Sequence, residues 1–307
     1  MRFMACSNIM VKDEISSAGS KMLYNFKAPF GADVYDRCIG KGMEFAGLIE
    51  TDEFGIDSLF EQNTDAAITA MLENRCDFVL CNDLFGKLQR QAPGHGLVYI
   101  NPAYGAVSRQ GLIPAVSSMD RIGVLCRNID DGCRVISAIS DGVSDFAKEI
   151  PDKATEYKDI SQLKYTDIIP YVFYILASAE ISGNTARYDG VKFGFRAENA
   201  QNLNEMYLKS RTEGFDRDTQ LAIITGCMVL SKDNYNKLYH KAMQIRRLIA
   251  EHYTRLLDEC GFLALSPSVT GKNNLERSVF CLLSSLCGFP SISMKHGDSE
   301  RLFVYKG

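Results

Sequence analysis

The chain has 307 residues, with 34 Lys+Arg against 38 Asp+Glu and a formal net charge of −4. It lacks the cationic excess with which a stand-alone nucleic-acid binder neutralises phosphates. Hydrophobic residues at 46% and charged residues at 23% supply a real core and exclude intrinsic disorder, and no periodic Gly or Pro pattern points to a fibrous or low-complexity class.

Taken in chain order, residues 1–14 hold no apolar run of signal-peptide length. Short apolar runs at 3–6, 44–49, 78–81, 97–100, 122–125, 263–265 and 291–294 predict strands. Most lack alternation, as strands covered on both faces do. A helix is predicted from Thr64, its hydroxyl capping the first turn, through Arg75. A second begins after Asn128, where Asp130 and Asp131 suit a helix N-terminus; it turns Val135, Ile136 and Ile139 inward and stops near Gly142. Residues 141–165 are polar and uneven and read as a linker or a helical surface excursion. The most apolar stretch, 168–179, carries Pro170 and falls short of the ~20 residues a bilayer needs.

The longest predicted helix spans 233–259. Leu238, Ala242, Ile245, Ile249, Tyr253 and Leu256 recur at steps of three or four and form one stripe. Ser231 is placed as its cap, Gly261 as its stop, and Arg246, Arg247 and Arg255 on a solvated face. Alternating strands and helices predict an α/β fold: a mixed, mostly parallel sheet with helices on both faces, in a single domain over residues 1–307.

Composition and motifs then exclude chemistry. The 10 Cys include no CxxC pair, and the 4 His (His95, His240, His252, His296) lie far apart. The expectation is therefore reduced thiols, with no disulfide framework, metal or cofactor. GxxxxGK[ST], GxSxG and HExxH are all missing. His95, between Gly94 and Gly96, reads as a turn residue.

Two groups of segments carry a resemblance. One is NPAYGAVSRQGLIP at 101–114 with SSMDRIG at 117–123; the other is ASAE at 177–180, ARYDGVKFG at 186–194 and SRTEGF at 210–215. Together they resemble the amidase signature family, and within it the A subunits of glutamyl-tRNA(Gln)/aspartyl-tRNA(Asn) amidotransferases. The resemblance implies an amide-cleaving shell in which a neutral lysine takes a proton through a bridging serine, so that a second serine attacks the carbonyl. Backbone N–H groups of a glycine-rich loop would hold the oxyanion.

Counting along the family's motifs puts Cys6 at the lysine position, Asn63 (or Thr64) at the bridging serine and Lys87 at the nucleophile. Leu84 and Phe85 stand where the family has loop residues that let backbone amides approach the substrate. Arg187 matches the arginine that holds a glutamine carboxylate, while Ser278 stands where its partner aspartate is expected. Arg187 is therefore read as structural, paired with Asp189 or Glu180. Relative to the family the chain is trimmed at both ends, and residues 301–305 are expected to supply a replacement edge strand.

These substitutions imply a non-catalytic, shortened member acting as a binding or scaffolding subunit in the cytoplasm. Its partners would be B- and C-like amidotransferase subunits or another copy of itself, without direct nucleic-acid or membrane contact. The alternative from the enzyme class is a rebuilt amidase site in which Lys87 lies beside Cys6 and lowers its thiol pKa. Against it stands the plainer expectation that Cys6 is packing and Lys87 points to solvent. Retained tRNA-dependent amidotransferase activity is a third reading, one that needs another Ser- and Gly-rich run.

Overall fold

Nine strands form one sheet in the computed structural model, which describes residues 1–140, 155–156 and 163–306. β1 (Arg2–Cys6), β2 (Glu44–Ile49) and β3 (Phe78–Cys81) run parallel, joined by α1 (Asp33–Gly40) and α2 (Ala66–Leu72). Beyond β3 lie β5 (Gly123–Cys126), β4 (Val98–Asn101), β8 (Ser291–His296), β9 (Ser299–Tyr305), β7 (Phe262–Leu265) and, at the far edge, β6 (Thr155–Glu156).

The two faces explain why the strands read as continuous apolar runs. Phe3, Ala5, Phe78 and Leu80 pack with Val34 and Cys38 of α1 and with Val135, Ile136 and Ile139 of α4 (Ile129–Ile139). Met4, Cys6, Val79 and Cys81 pack on the other face with Ala67, Ile68 and Met71 of α2. Successive side chains point to opposite faces, and both faces are covered.

The mixed, helix-covered sheet is as expected, but it is not mostly parallel. Among the described residues three strand pairings are parallel and five antiparallel. Most of the later helices come as one block, in the crossover between the parallel neighbours β6 and β7, and β8 returns directly into β9 through Gly297 (φ 59°) and Asp298 in a two-residue hairpin turn. β9 is also no edge strand. It lies between β8 and β7, and Leu302, Phe303, Val304 and Tyr305 are all buried.

Helix boundaries shift for local reasons. Asp65, not Thr64, caps α2 by accepting from Ala67 N–H at 2.8 Å, and Asn74 (φ 57°) turns the chain before Arg75. Asn128 caps α4, accepting from Asp131 N–H at 2.9 Å; the helix ends at Ile139, and Gly142 lies outside the described residues. Asn128→Ala is expected to lower stability by about 1 kcal/mol, measured by urea unfolding, through an unsatisfied N–H in the first turn of α4.

The second half is helical. α5 (Ile169–Thr185) admits Pro170 in its first turn and is largely buried, and α6 (Leu203–Gly214) and α7 (Arg217–Leu230) follow. A π-helical turn at Tyr235–Tyr239 leads into α8 (His240–Cys260), which buries Ala242, Ile249, Tyr253 and Leu257 and stops at Gly261 (φ 76°). Ser231 is not its cap: the hydroxyl donates back to the Met228 carbonyl and closes α7. Nor is Arg246 solvated, since it donates to the Leu286 carbonyl (2.7 Å) and to Ser118. α9 (Asn274–Arg277) and α10 (Val279–Cys287) are the last of the described helices. Of the predicted linker, 141–154 and 157–162 lie outside the described residues. No described helix is long and apolar enough to cross a membrane.

Candidate functional site

Because β1, β2 and β3 are parallel, the segments leaving their carboxyl ends converge: Ser7 and Asn8, residues 50–57, and residues 82–87. That end of an α/β sheet is where ligand sites form. Residues 50–57 send four carboxylates to four sets of partners. Glu50 accepts from Ser17 Oγ (2.7 and 3.0 Å) and Ser7 Oγ (3.1 Å). Asp52 Oδ2 lies 2.6 Å from Lys87 Nζ. Glu53 accepts from Ser20 Oγ and from Asp216 N–H (2.8 Å), and Asp57 accepts from Arg90 Nη2 at 3.1 Å.

Lys87 opens α3 (Lys87–Gln91). Gly86 precedes it with φ 78°, and a Cβ there would sit 2.4 Å from Cys281 Cβ, so the turn requires glycine. Asp83 fixes the helix start by accepting from Leu88 and Gln89 N–H at 3.0 and 2.8 Å. The Lys87 side chain is therefore carried inward. Its ammonium meets Asp52, with Asp57 Oδ1 and Asp65 Oδ2 each 4.0 Å away, and only 6% of the side chain is exposed.

The electrostatics follow from this crowding. Burial works to lower the Lys87 pKa, but the hydrogen bond and charge of Asp52, with Asp65 and Asp57, outweigh it and hold the group above the ordinary lysine value. Burial pushes Asp57 up to about 6 against the pull of Arg90 and Lys87. It pushes Asp65 to about 6 against the Ala67 N–H and Lys87, and it raises Asp83 as well. Burial and the nearby charge of Asp216 raise Glu53 to about 7. Four carboxylates (Asp52, Asp57, Asp65, Asp83) thus share two cations, Lys87 and Arg90. Among the described residues no group of His, Cys, Asp or Glu is placed to hold a metal.

The predicted site residues are not drawn into one constellation. Cys6 is buried at the end of β1 beside Cys81, whose thiol it contacts and whose pKa is raised by burial first and by Cys6 second. Lys87 is buried rather than solvated, and its charged partners are carboxylates, not the Cys6 thiol. Asn63 and Thr64 are exposed, and the Asn63 carbonyl accepts from Gln91 Nε2 at 2.8 Å. Leu84 and Phe85 are buried in the core, with Phe85 edge-on to Phe173.

Arg187 is exposed and folds back on the end of α5, donating to the Asn184 carbonyl (2.9 Å) and Oδ1 (3.2 Å). The expected pairing with Asp189 or Glu180 is not made. Asp189 closes its own turn onto Val191 and Lys192 N–H, and Glu180 holds Ser118. Ser278 is buried and accepts from Arg90. His95 lies exposed on a turn at Ala92–His95.

Asp52, Asp57, Asp65 and Arg90 were not singled out from the sequence. The available signal was four acids within residues 50–57 and no Lys or Arg among them, which requires a distant cation. Arg121 is a second missed group. Its buried guanidinium donates to the Pro102 and Phe289 carbonyls and to the adjacent hydroxyls of Ser284 and Ser285, and burial lowers its pKa to about 10.

Comparison with known proteins agrees with this architecture. The family model described as Amidase matches residues 138–277. The A subunit of the Enterococcus faecalis glutamyl-tRNA(Gln) amidotransferase is 30% identical over 372 aligned positions, covering 97% of this chain and 76% of that protein. Its counterpart from Wolinella succinogenes is 29% identical, covering 95% and 81%. The alignment with the Enterococcus protein is longer than the 307-residue chain, so that relative carries internal stretches this chain lacks. Among solved structures, a crystal structure of an amidase superposes with a TM-score of 0.74 at 16% identity, over all of this chain and 80% of the other. The A subunit of the Thermotoga maritima glutamyl-tRNA(Gln) amidotransferase gives 0.64 at 19%, over 100% and 79%. In fold and in sequence, the chain belongs to the amidase signature family.

Proposed function

We propose that this protein is a non-catalytic member of the family and serves as a binding or scaffolding subunit in the cytoplasm. One observation carries the reading: the Lys87 ammonium, at the position assigned to the nucleophilic serine, is buried against Asp52, Asp57 and Asp65. A protonated amine has no lone pair with which to attack a carbonyl or accept a proton.

The other assigned positions support it. Cys6, in the lysine position, abuts a second thiol instead of a serine. Asn63, in the bridging position, offers an exposed amide. Leu84 and Phe85 fill the core where the family's loop would present backbone N–H groups. The adjacent serines Ser284 and Ser285 meet the buried Arg121, whose guanidinium, even with its pKa lowered to about 10, stays protonated near neutral pH and cannot act as a base. The relatives are named as one subunit of an enzyme, which favours a role in an assembly with B- and C-like subunits or another copy of the chain. Arg187 then has a structural role at the end of α5.

The test is ammonia release from glutamine and from simple amides by the purified chain. No release above that of a Cys6→Ala control is expected. Turnover abolished by Cys6→Ala or Lys87→Ala would overturn the reading in favour of a rebuilt site.

A further inference from the structure

α7 is apolar on two opposite faces. Thr219, Ala222, Gly226 and Val229 are buried on one of them, which lies on α5 so closely that a Cβ at Gly226 would come 2.1 Å from the Ser178 carbonyl oxygen. The opposite face carries Leu221, Ile224 and Met228, exposed to 42%, 67% and 51%, at the i, i+3, i+7 spacing that aligns side chains along one helix side. From Thr219 to Ser231 there is no charged residue. Next to it on α6, Leu208 is 69% exposed and shares with Phe215, Ile223 and Ile224 a groove of about 370 Å³ that Arg211, Thr212 and Gln220 also line. Large apolar side chains exposed together along one helix side mark an interaction surface.

The charges at its ends identify what covers it. Arg217 and Asp218 stand at the start of α7, and Lys232 and Asp233 just past its end. A two-fold rotation centred near Thr225 that sets two copies of α7 antiparallel puts the Arg217–Asp218 end of one beside the Lys232–Asp233 end of the other, each end carrying one positive and one negative charge. The same rotation lays Leu221 by Met228, brings Ile224 to the axis and sets the two helix dipoles antiparallel. A face that is its own complement under a two-fold axis is what an isologous dimer requires. We propose that two copies of this chain associate through α7 packed antiparallel on α7, with the α6–α7 groove closing over the edge. This stands independently of whether the chain turns over amides.

Sedimentation velocity of the full chain at 1–100 μM tests it. A concentration-dependent species of twice the chain mass is expected, with Ile224→Lys weakening association at least tenfold and leaving the far-UV CD spectrum unchanged. Arg217→Asp alone should weaken the dimer, and Arg217→Asp combined with Asp233→Arg should restore it. A monomer at every concentration, a dimer indifferent to Ile224→Lys, or a double variant no stronger than Arg217→Asp alone would each overturn the antiparallel α7 pairing.

Discussion

Lys87→Met is expected to destabilise the protein by about 3 kcal/mol at pH 8, the lower end of the range for removing one partner of a buried ion pair. The lower end applies because Asp52, its nearest partner, keeps 30% of its side chain exposed and recovers some hydration. Asp57 and Asp65, exposed to 4% and 16%, cannot, and would face each other and Asp83 with Arg90 alone to balance them. The loss should shrink as pH is lowered toward 5.5, because carboxylates already raised to about 6 rise further without the ammonium and then protonate. Adding Asp52→Asn to Lys87→Met should recover part of the loss, the coupling expected of groups in contact. Urea unfolding of the parent, Lys87→Met, Asp52→Asn and the double variant at both pH values measures this. A Lys87→Met variant as stable as the parent at pH 8 would mean the ammonium is not engaged by these carboxylates.

The second expectation concerns the parent protein: it should become more stable, by a few kcal/mol in all, as pH falls from 8 to about 5. Glu53 is raised to about 7, and Asp57, Asp65 and Asp120 to about 6. These groups bind protons in the folded state at pH values where the unfolded chain has released them. Where the folded state holds more protons, stability rises as pH drops through the folded pKa and levels off near the unfolded one. His252, lowered mainly by burial, opposes this slightly below pH 6.5. Glu53→Gln isolates the largest contribution. Its amide N–H can donate to Ser20 Oγ while its oxygen accepts the Asp216 N–H, the arrangement of the protonated acid. The variant should match the parent near pH 5 and exceed it at pH 8. A variant less stable than the parent at pH 8 would place the Glu53 charge among the stabilising ones.

Both expectations depend on features only partly visible in the sequence. Apolar runs located seven of the strands within a residue or two, because a strand buried on both faces must be apolar throughout. Strand direction has no such signature, and the five antiparallel pairings became visible only in the sheet. Caps failed where two candidates adjoined, as with Thr64 and Asp65, since either side chain can reach the first-turn N–H. The site was misjudged at Lys87 for a different reason. Lysine is ordinarily solvated, and the groups that hold it, at positions 52, 57 and 65, lie 22 to 35 residues away with no periodic relation to it. Cys6 was legible as packing because its neighbours are apolar; Arg246 was not, because its acceptors come from α10 and from residue 118.

The claim on which the functional reading turns is that Lys87 is a permanently charged cation held by carboxylates, and its side-chain titration tests that most directly. With lysines labelled at Cε and the Lys87 resonance assigned through Lys87→Met, its NMR shift should stay that of an ammonium up to at least pH 10, in keeping with a pKa above the ordinary value. A Lys87 signal that titrates below pH 9 would reveal an amine able to accept a proton, and would contradict the account.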